Sequence, residues 1–102
     1  MQDPLNTAVV AGNPLSITCG HNFNSSPIKW SVKKPEALGE SLVYDGSKAF
    51  MNFTAIVVTN EFSHEVTLTK TNTQMEDAGI YKCLVDFSDQ MIIRMAQLIV
   101  LG

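Results

Sequence analysis

The chain has 102 residues, of which 45% are hydrophobic and 17% are charged, a composition that excludes intrinsic disorder and predicts one folded domain over residues 1–102. The net charge is −3, and the seven Lys and Arg residues are scattered apart from Lys33-Lys34, so we expect no nucleic-acid partner. No apolar run approaches the roughly 20 residues that a membrane-spanning helix needs. Any membrane attachment would therefore require a segment outside this chain.

Short segments of alternating polarity, separated by turn residues, predict an all-β chain. The predicted strands, in chain order, are residues 5–11, 15–19, 28–33, 41–44, 53–59, 65–69, 80–86 and 92–101. A ninth strand within residues 46–51 is an alternative to a loop at that place. The run 53–59 is apolar without regular alternation, so its inward face stays unassigned.

Three features occur in an order that is typical of one family: Cys19, then Trp30, then the motif Asp-x-Gly-x-Tyr-x-Cys at residues 77–83. This pattern resembles the immunoglobulin superfamily over essentially the whole chain. The resemblance implies an immunoglobulin-like β-sandwich of two antiparallel sheets of the V-type, with an I-type sandwich as the alternative. It also implies that Cys19 and Cys83 form a disulfide bond, that Trp30 packs on this bond, and that Tyr81 makes a tyrosine corner.

A disulfide bond would place the protein in an oxidising compartment, so we expect an extracellular location, either cell-surface or secreted. Two buried free thiols in a cytosolic domain are the alternative, and the wide spacing of the cysteines argues against a zinc site. Many V-type domains pair the carboxylate at the position of Asp77 with a basic residue. Only Lys48 lies near the expected place for that residue, so Asp77 could instead serve locally in the corner turn.

Two departures separate the chain from rearranged antigen receptors. These receptors carry Phe-Gly-x-Gly before the last strand, whereas residues 91–96 contain no glycine, and the loop over residues 87–91 is very short. The resemblance therefore favours a non-rearranging cell-surface receptor or adhesion protein over an antibody.

No arrangement of residues points to catalysis, so we expect that the chain is not an enzyme and binds no cofactor or metal. The two histidines, His21 and His64, are far apart in the sequence, and no nucleophile motif lies near either of them. Both are predicted to be solvated surface side chains.

The outward faces of the two predicted sheets differ in character. The sheet with Cys19 presents a hydroxyl-rich set: Ser16, Thr18, Glu65, Thr67 and Thr69. The sheet with Trp30 presents a more apolar set: Ser31, Lys33, Leu42, Tyr44, Lys82, Leu84, Met95, Gln97 and Ile99. Within the family this second sheet (strands G, F, C and C′) is the usual docking surface, which implies a protein partner, either a second copy in a homodimer or another immunoglobulin-type domain. The predicted binding residues are Leu42, Tyr44, Lys82, Leu84, Met95, Gln97 and, in a loop, Phe87.

Three loops at one end of the sandwich offer a second mode of binding. Phe23, Phe50 and Phe87 each lie in one loop and would either anchor a soluble, microbial or glycan ligand or fold back onto the core. A purely structural spacer domain is a third possibility. Asn24-Ser25-Ser26 and Asn52-Phe53-Thr54 are sequons, which predict glycosylation of Asn24 and Asn52.

Overall fold

The computed structural model describes residues 3–23 and 26–102, in which two β-sheets pack face to face. One sheet has the strand order β1-β8-β7-β3-β4 and the other has the order β2-β6-β5. The strands are β1 (Thr7–Val10), β2 (Leu15–His21), β3 (Ile28–Lys33), β4 (Ser41–Tyr44), β5 (Thr54–Thr59), β6 (His64–Lys70), β7 (Gly79–Phe87) and β8 (Gln90–Leu101). The predicted all-β sandwich is confirmed. Neighbouring strands are antiparallel except β1, which runs parallel to the end of β8.

Residues 46–51, the place of a possible ninth strand, form a loop. The Asp45 carboxylate accepts the backbone N–H groups of Ser47 and Lys48, which turns the chain directly after β4. Phe50 then donates its N–H to the carbonyl of Val43, so the loop folds back against β4. These local hydrogen bonds compete with an extended strand, and within the described residues they leave only an isolated bridge between positions 44 and 49.

The core lies between the sheets and is crossed by a disulfide bond. Cys19 on β2 is bonded to Cys83 on β7, with their Cα atoms 6.4 Å apart. Trp30 is fully buried and lies opposite Cys83 in the β3–β7 register. The loop that the bond closes spans 64 residues, so the chain-entropy treatment assigns it a stabilisation of about 4 kcal/mol.

The turn before β7 is held by Asp77, which is 2% exposed. Its carboxylate accepts the N–H of Gln74 at 2.7 Å and pairs with the Lys70 ammonium at 2.8 Å, while its carbonyl accepts the hydroxyl of Tyr81 at 2.6 Å. Burial, and then the nearby Asp77 carboxylate, raise the pKa of Tyr81. Asp77 therefore serves both as a salt-bridge partner and as a local turn residue.

The basic partner of Asp77 is Lys70 at the end of β6, so Lys48 was the wrong candidate. Lys48 lies in the loop after β4, where its ammonium is 5.5 Å from the centroid of the Phe50 ring. Lys48 is close in sequence to the strand that was expected to carry the basic residue. In the folded sandwich, however, the end of β6 lies next to the turn that contains Asp77.

Gly79 explains the glycine of the Asp-x-Gly-x-Tyr-x-Cys motif. A Cβ atom added to this residue would lie 2.7 Å from the carbonyl oxygen of Lys33. Because backbone atoms cannot move aside as a flexible side chain can, only glycine lets β7 begin this close to the end of β3.

We expect Lys70→Met to lower the free energy of unfolding by about 3 kcal/mol, because it leaves the buried Asp77 carboxylate without its counter-charge. Lys48→Met is the matched control and should change stability by no more than about 0.5 kcal/mol. Urea unfolding of both variants measures the difference. Equal losses in the two variants would contradict this role for Lys70.

Candidate interaction surface

The outer side of β8 carries a row of exposed apolar side chains. Successive residues of a strand point to opposite faces, and Ala96, Leu98 and Val100 point into the core. The alternate residues face solvent, and five of them are large and apolar with at least 45% of their surface exposed. These five residues, which we call the β8 row, are Met91, Ile93, Met95, Ile99 and Leu101.

Neighbouring strands extend the β8 row sideways. On β7, Ile80 is exposed opposite Gln97, and Leu84 is half-buried opposite Ile93. On β4, Leu42 is 44% exposed and lies opposite the buried Ser31 of β3. The predicted residues Leu42, Leu84, Met95 and Gln97 thus lie on one continuous sheet face, which we call the outer face of the five-stranded sheet.

A polar connection crosses the middle of this face. Lys82 on β7 forms a salt bridge with Glu40, which directly precedes β4, so the lysine side chain reaches across β3. Ser31 lies beneath this crossing, is only 5% exposed, and has a hydroxyl without a hydrogen-bond partner within the described residues. The bridge therefore separates the β8 row from Leu42.

The prediction that Tyr44 lies on this outer face is wrong. Tyr44 is 4% exposed and pairs with the inward-facing Trp30, whereas Leu42 pairs with Ser31. The register shifts between these pairs, so Val43 is an extra residue that lets two neighbouring side chains turn inward. Burial, and then the Asp45 carboxylate, raise the pKa of Tyr44. Strict alternation places Tyr44 outside because it assumes a strand without a bulge.

The predicted loop aromatics pack mainly against each other and the core. The rings of Phe23 and Phe87 are stacked with their centroids 4.4 Å apart, and both side chains are half-buried against core residues. The prediction that Phe87 lies in a loop is wrong, because β7 continues to this residue. Phe50 is half-buried beside Lys48. Of the two predicted glycosylation sites, Asn52 is exposed in the turn before β5, whereas Asn24 lies outside the described residues.

His21 is buried, so the prediction of a solvated side chain is wrong. It is 2% exposed at the end of β2, where its Nδ1 accepts the backbone N–H of Phe23 at 3.0 Å. Its Nε2 lies 2.7 Å from the carbonyl oxygen of Ser26 and must donate to it. These partners assign a neutral ring with the proton on Nε2.

The second histidine lies beside the first, although the two are far apart in the sequence. His64 is the register partner of His21 in the β2–β6 pair, and the ring centroids are 5.7 Å apart. Its Nδ1 is 2.8 Å from the hydroxyl of Thr59. Burial lowers the pKa of His64 below its ordinary value, and repulsion from His21 adds to this whenever the His21 ring is protonated. Only a correct register for β2 and β6 would have brought the two rings together from sequence.

The comparison with known proteins identifies the family. The sequence matches the immunoglobulin V-set domain over residues 2–100. The chain belongs to the immunoglobulin V-set family. It is also similar to the "Ig kappa chain V region 3368" of Oryctolagus cuniculus, with 26% identity over 93 residues that cover 90% of this chain and 84% of that protein.

Several general properties follow from membership of the V-set family. V-set domains are recognition domains that commonly mediate protein–protein interactions and are generally not enzymes. The bond between Cys19 and Cys83 fits an extracellular or secreted V-set protein. The part of the chain that the structure describes has no group of three metal-ligating side chains and no helix long and apolar enough to cross a membrane.

The lowered pKa of His64 predicts that this V-set domain loses stability on acidification. The unfolded chain binds a proton at the ordinary histidine value of 6.5, whereas the folded protein does so only at lower pH. The contribution of His64 to the stability of the folded state is therefore fully present above pH 6.5. It declines as the pH falls below 6.5 toward the lower pKa of the folded protein. Thermal unfolding at pH 7.5 and pH 5 should show a smaller shift for His64→Gln than for the wild type. An unchanged shift in the variant would contradict the prediction.

Proposed function

We propose that this V-set domain is a non-catalytic recognition module of an extracellular, non-rearranging receptor or adhesion protein. We further propose that it binds a protein partner through the outer face of the five-stranded sheet, the partner being a second copy or another immunoglobulin-type domain. The β8 row is the observation that carries this proposal. In V-set nomenclature the relevant strands β8, β7, β3 and β4 correspond to G, F, C and C′.

The size and shape of the β8 row support a docking role. From Met91 to Leu101 the row extends roughly 34 Å along the strand at the usual rise per residue. Gln97 interrupts the row, but the exposed Ile80 of β7 lies opposite it and extends the apolar area at that point. Extended exposed apolar areas mark interaction sites on soluble domains. Two of its side chains are methionines, which adapt their shape to a partner. Exposed charged residues, including Lys29, Lys33 and Asp86, lie toward its margins and provide a polar rim.

The opposite sheet lacks a comparable surface on β2 and β6. Ser16 is exposed there, and the hydroxyls of Thr18 and Thr67 are hydrogen-bonded to each other at 2.8 Å. These groups are small and polar and interact well with water. The contrast between this hydroxyl-rich surface of β2 and β6 and the β8 row favours the five-stranded sheet as the docking side.

Loop-tip capture of a ligand has less support. An anchor for a soluble or glycan ligand must project from the loops, whereas Phe23 and Phe87 stack on each other above the core. The exposed area of the β8 row is larger and needs no rearrangement. The short loop between β7 and β8, over residues 88–89, also leaves little room for antibody-like contacts.

We expect Ile93→Lys to weaken partner binding at least thirtyfold, or about 2 kcal/mol, because it places a charge within the β8 row, next to the apolar Leu84 of β7. Ser16→Lys, which adds the same charge to the outer side of the other sheet, is the matched control. Fluorescent tetramers of the wild type and both variants would be compared for staining of cells from the source organism. Sedimentation of the same proteins would measure self-association.

The proposal requires that Ile93→Lys reduces staining or self-association while Ser16→Lys does not. Equal behaviour of the two variants in both assays would overturn it. Near-wild-type melting temperatures of both variants should accompany the comparison, because both substituted side chains are solvent-exposed.

A further inference from the structure

The edge strand β5 has features that the proposed function does not use. It lies at the end of the sheet order β2-β6-β5, so β6 is its single neighbour in that sheet. Its sequence, Thr-Ala-Ile-Val-Val-Thr, has no charged residue and no proline. Natural edge strands usually carry such residues, which discourage pairing with other chains.

Both faces of β5 are open to solvent. Ile56 and Val58 point outward and are 52% and 49% exposed. Val57 points to the core side, opposite the buried Val66, yet it is 45% exposed because it lies beyond the edge of the core. A molecule bound to one face would leave the apolar side chains of the other face exposed to solvent. A strand added in the plane of the sheet would contact side chains on both faces.

The free backbone groups of β5 can be assigned from its turn to β6. Asn60 donates its N–H to the carbonyl of Ser63, which makes these two residues a hydrogen-bonded pair. Because such pairs alternate along an antiparallel ladder, the even-numbered residues of β5 direct their N–H and C=O groups to β6. Ala55, Val57 and Thr59 therefore direct theirs to the open edge. No backbone hydrogen bond from another segment reaches residues 54–59 within the described part of the chain.

We propose that β5 pairs in antiparallel fashion with β5 of a second copy about a two-fold axis at Val57, forming the continuous sheet β2-β6-β5-β5-β6-β2. In this register Val57 faces Val57 of the second copy, and Ala55 faces Thr59. All three residues with free backbone groups are then paired. A shift by two residues in either direction would leave one of them opposite a position outside the strand.

The side chains support a second copy as the occupant of this edge. In the same register Ile56 faces Val58, so each face of the joined sheet acquires contacts between β-branched apolar residues, which pack well across strands. Glu61 of one copy would lie opposite Phe53 of the other, which keeps the two Glu61 carboxylates apart.

The first half of β8, which β1 leaves unpaired on one side, is a poorer match. Its row of apolar side chains occupies one face, but on the opposite face Arg94 is exposed and donates from its Nε to the Asp3 carboxylate. Pairing β8 with β5 would place this charge next to apolar residues. Self-pairing of β5 matches uncharged residues on both faces.

The pairing is expected to be weak, because one six-residue strand pair buries less surface than the roughly 1,600 Å² of a standard stable interface. It would therefore matter where copies are concentrated side by side. Since β5 lies in the three-stranded sheet, the contact leaves the outer face of the five-stranded sheet free for another partner.

Sedimentation velocity between about 10 µM and about 1 mM tests the pairing, because dimers with dissociation constants in this range become populated there. The protein would carry Ile93→Lys, so that self-association through the β8 row does not contribute, and its N-glycans would be removed because Asn52 is close to β5. Added Val57→Lys should weaken self-association at least tenfold, whereas added Ser16→Lys should not. A monomer at every concentration, equal effects of both substitutions, or open-ended aggregates would overturn the proposal.

Cysteine cross-linking tests the register with smaller substitutions. Under mild oxidation, Val57→Cys should give a disulfide-linked dimer, because this residue faces its own copy across the two-fold axis. Ile56→Cys is the matched control and should cross-link much less, because it faces Val58 and points to the other side of the sheet. Equal cross-linking of the two variants, or none in either, would overturn the register. Neither outcome bears on binding through the β8 row.

Discussion

The bond between Cys19 and Cys83 is the constraint on which the arrangement of this domain depends. It joins β2 in one sheet to β7 in the other and fixes the separation of the sheets at the centre of the core. Trp30 fills the space beside the bond, and the turn at Asp77 determines where β7 enters the sheet. Because β7 is held in this way, the registers of β3 and β8 against it are fixed as well. The register of β8 in turn determines which of its side chains point to solvent.

Prediction from the sequence succeeded where a strand alternates without interruption. The alternation of β8 places Met95 and Gln97 outside because Ala96 and Leu98 fit only in the core. The same reasoning placed Tyr44 on the wrong face, because a bulge adds one residue to β4 in the β3–β4 pair. An added residue reverses which side chains point inward beyond the bulge. The bulge buries both Val43 and Tyr44 on the side of Trp30, and this tertiary arrangement is not contained in any local pattern.

Contacts between distant segments were the second limit of sequence reasoning. The pairing of Lys70 with Asp77, and of His21 with His64, depends on the register of neighbouring strands and on how the turn packs. The apolar run of β5 illustrates a different limit. Its lack of alternation leaves the inward face unassigned from the sequence, and because the three-stranded sheet ends there, its residues lie at an open edge. Whether an apolar strand is interior or peripheral is decided by the topology of the whole sheet.

The two methionines of the β8 row have a chemical consequence for an extracellular protein. Met91 and Met95 are 54% and 60% exposed, so oxidants in the surrounding medium can reach their thioether sulfur atoms. Addition of one oxygen converts each flexible apolar side chain into a polar sulfoxide, and reductases can reverse this change. The apolar character of this face therefore depends on the oxidants to which the molecule has been exposed. Cys19 and Cys83, which hold the two sheets together, are fully buried and so are shielded from the same medium.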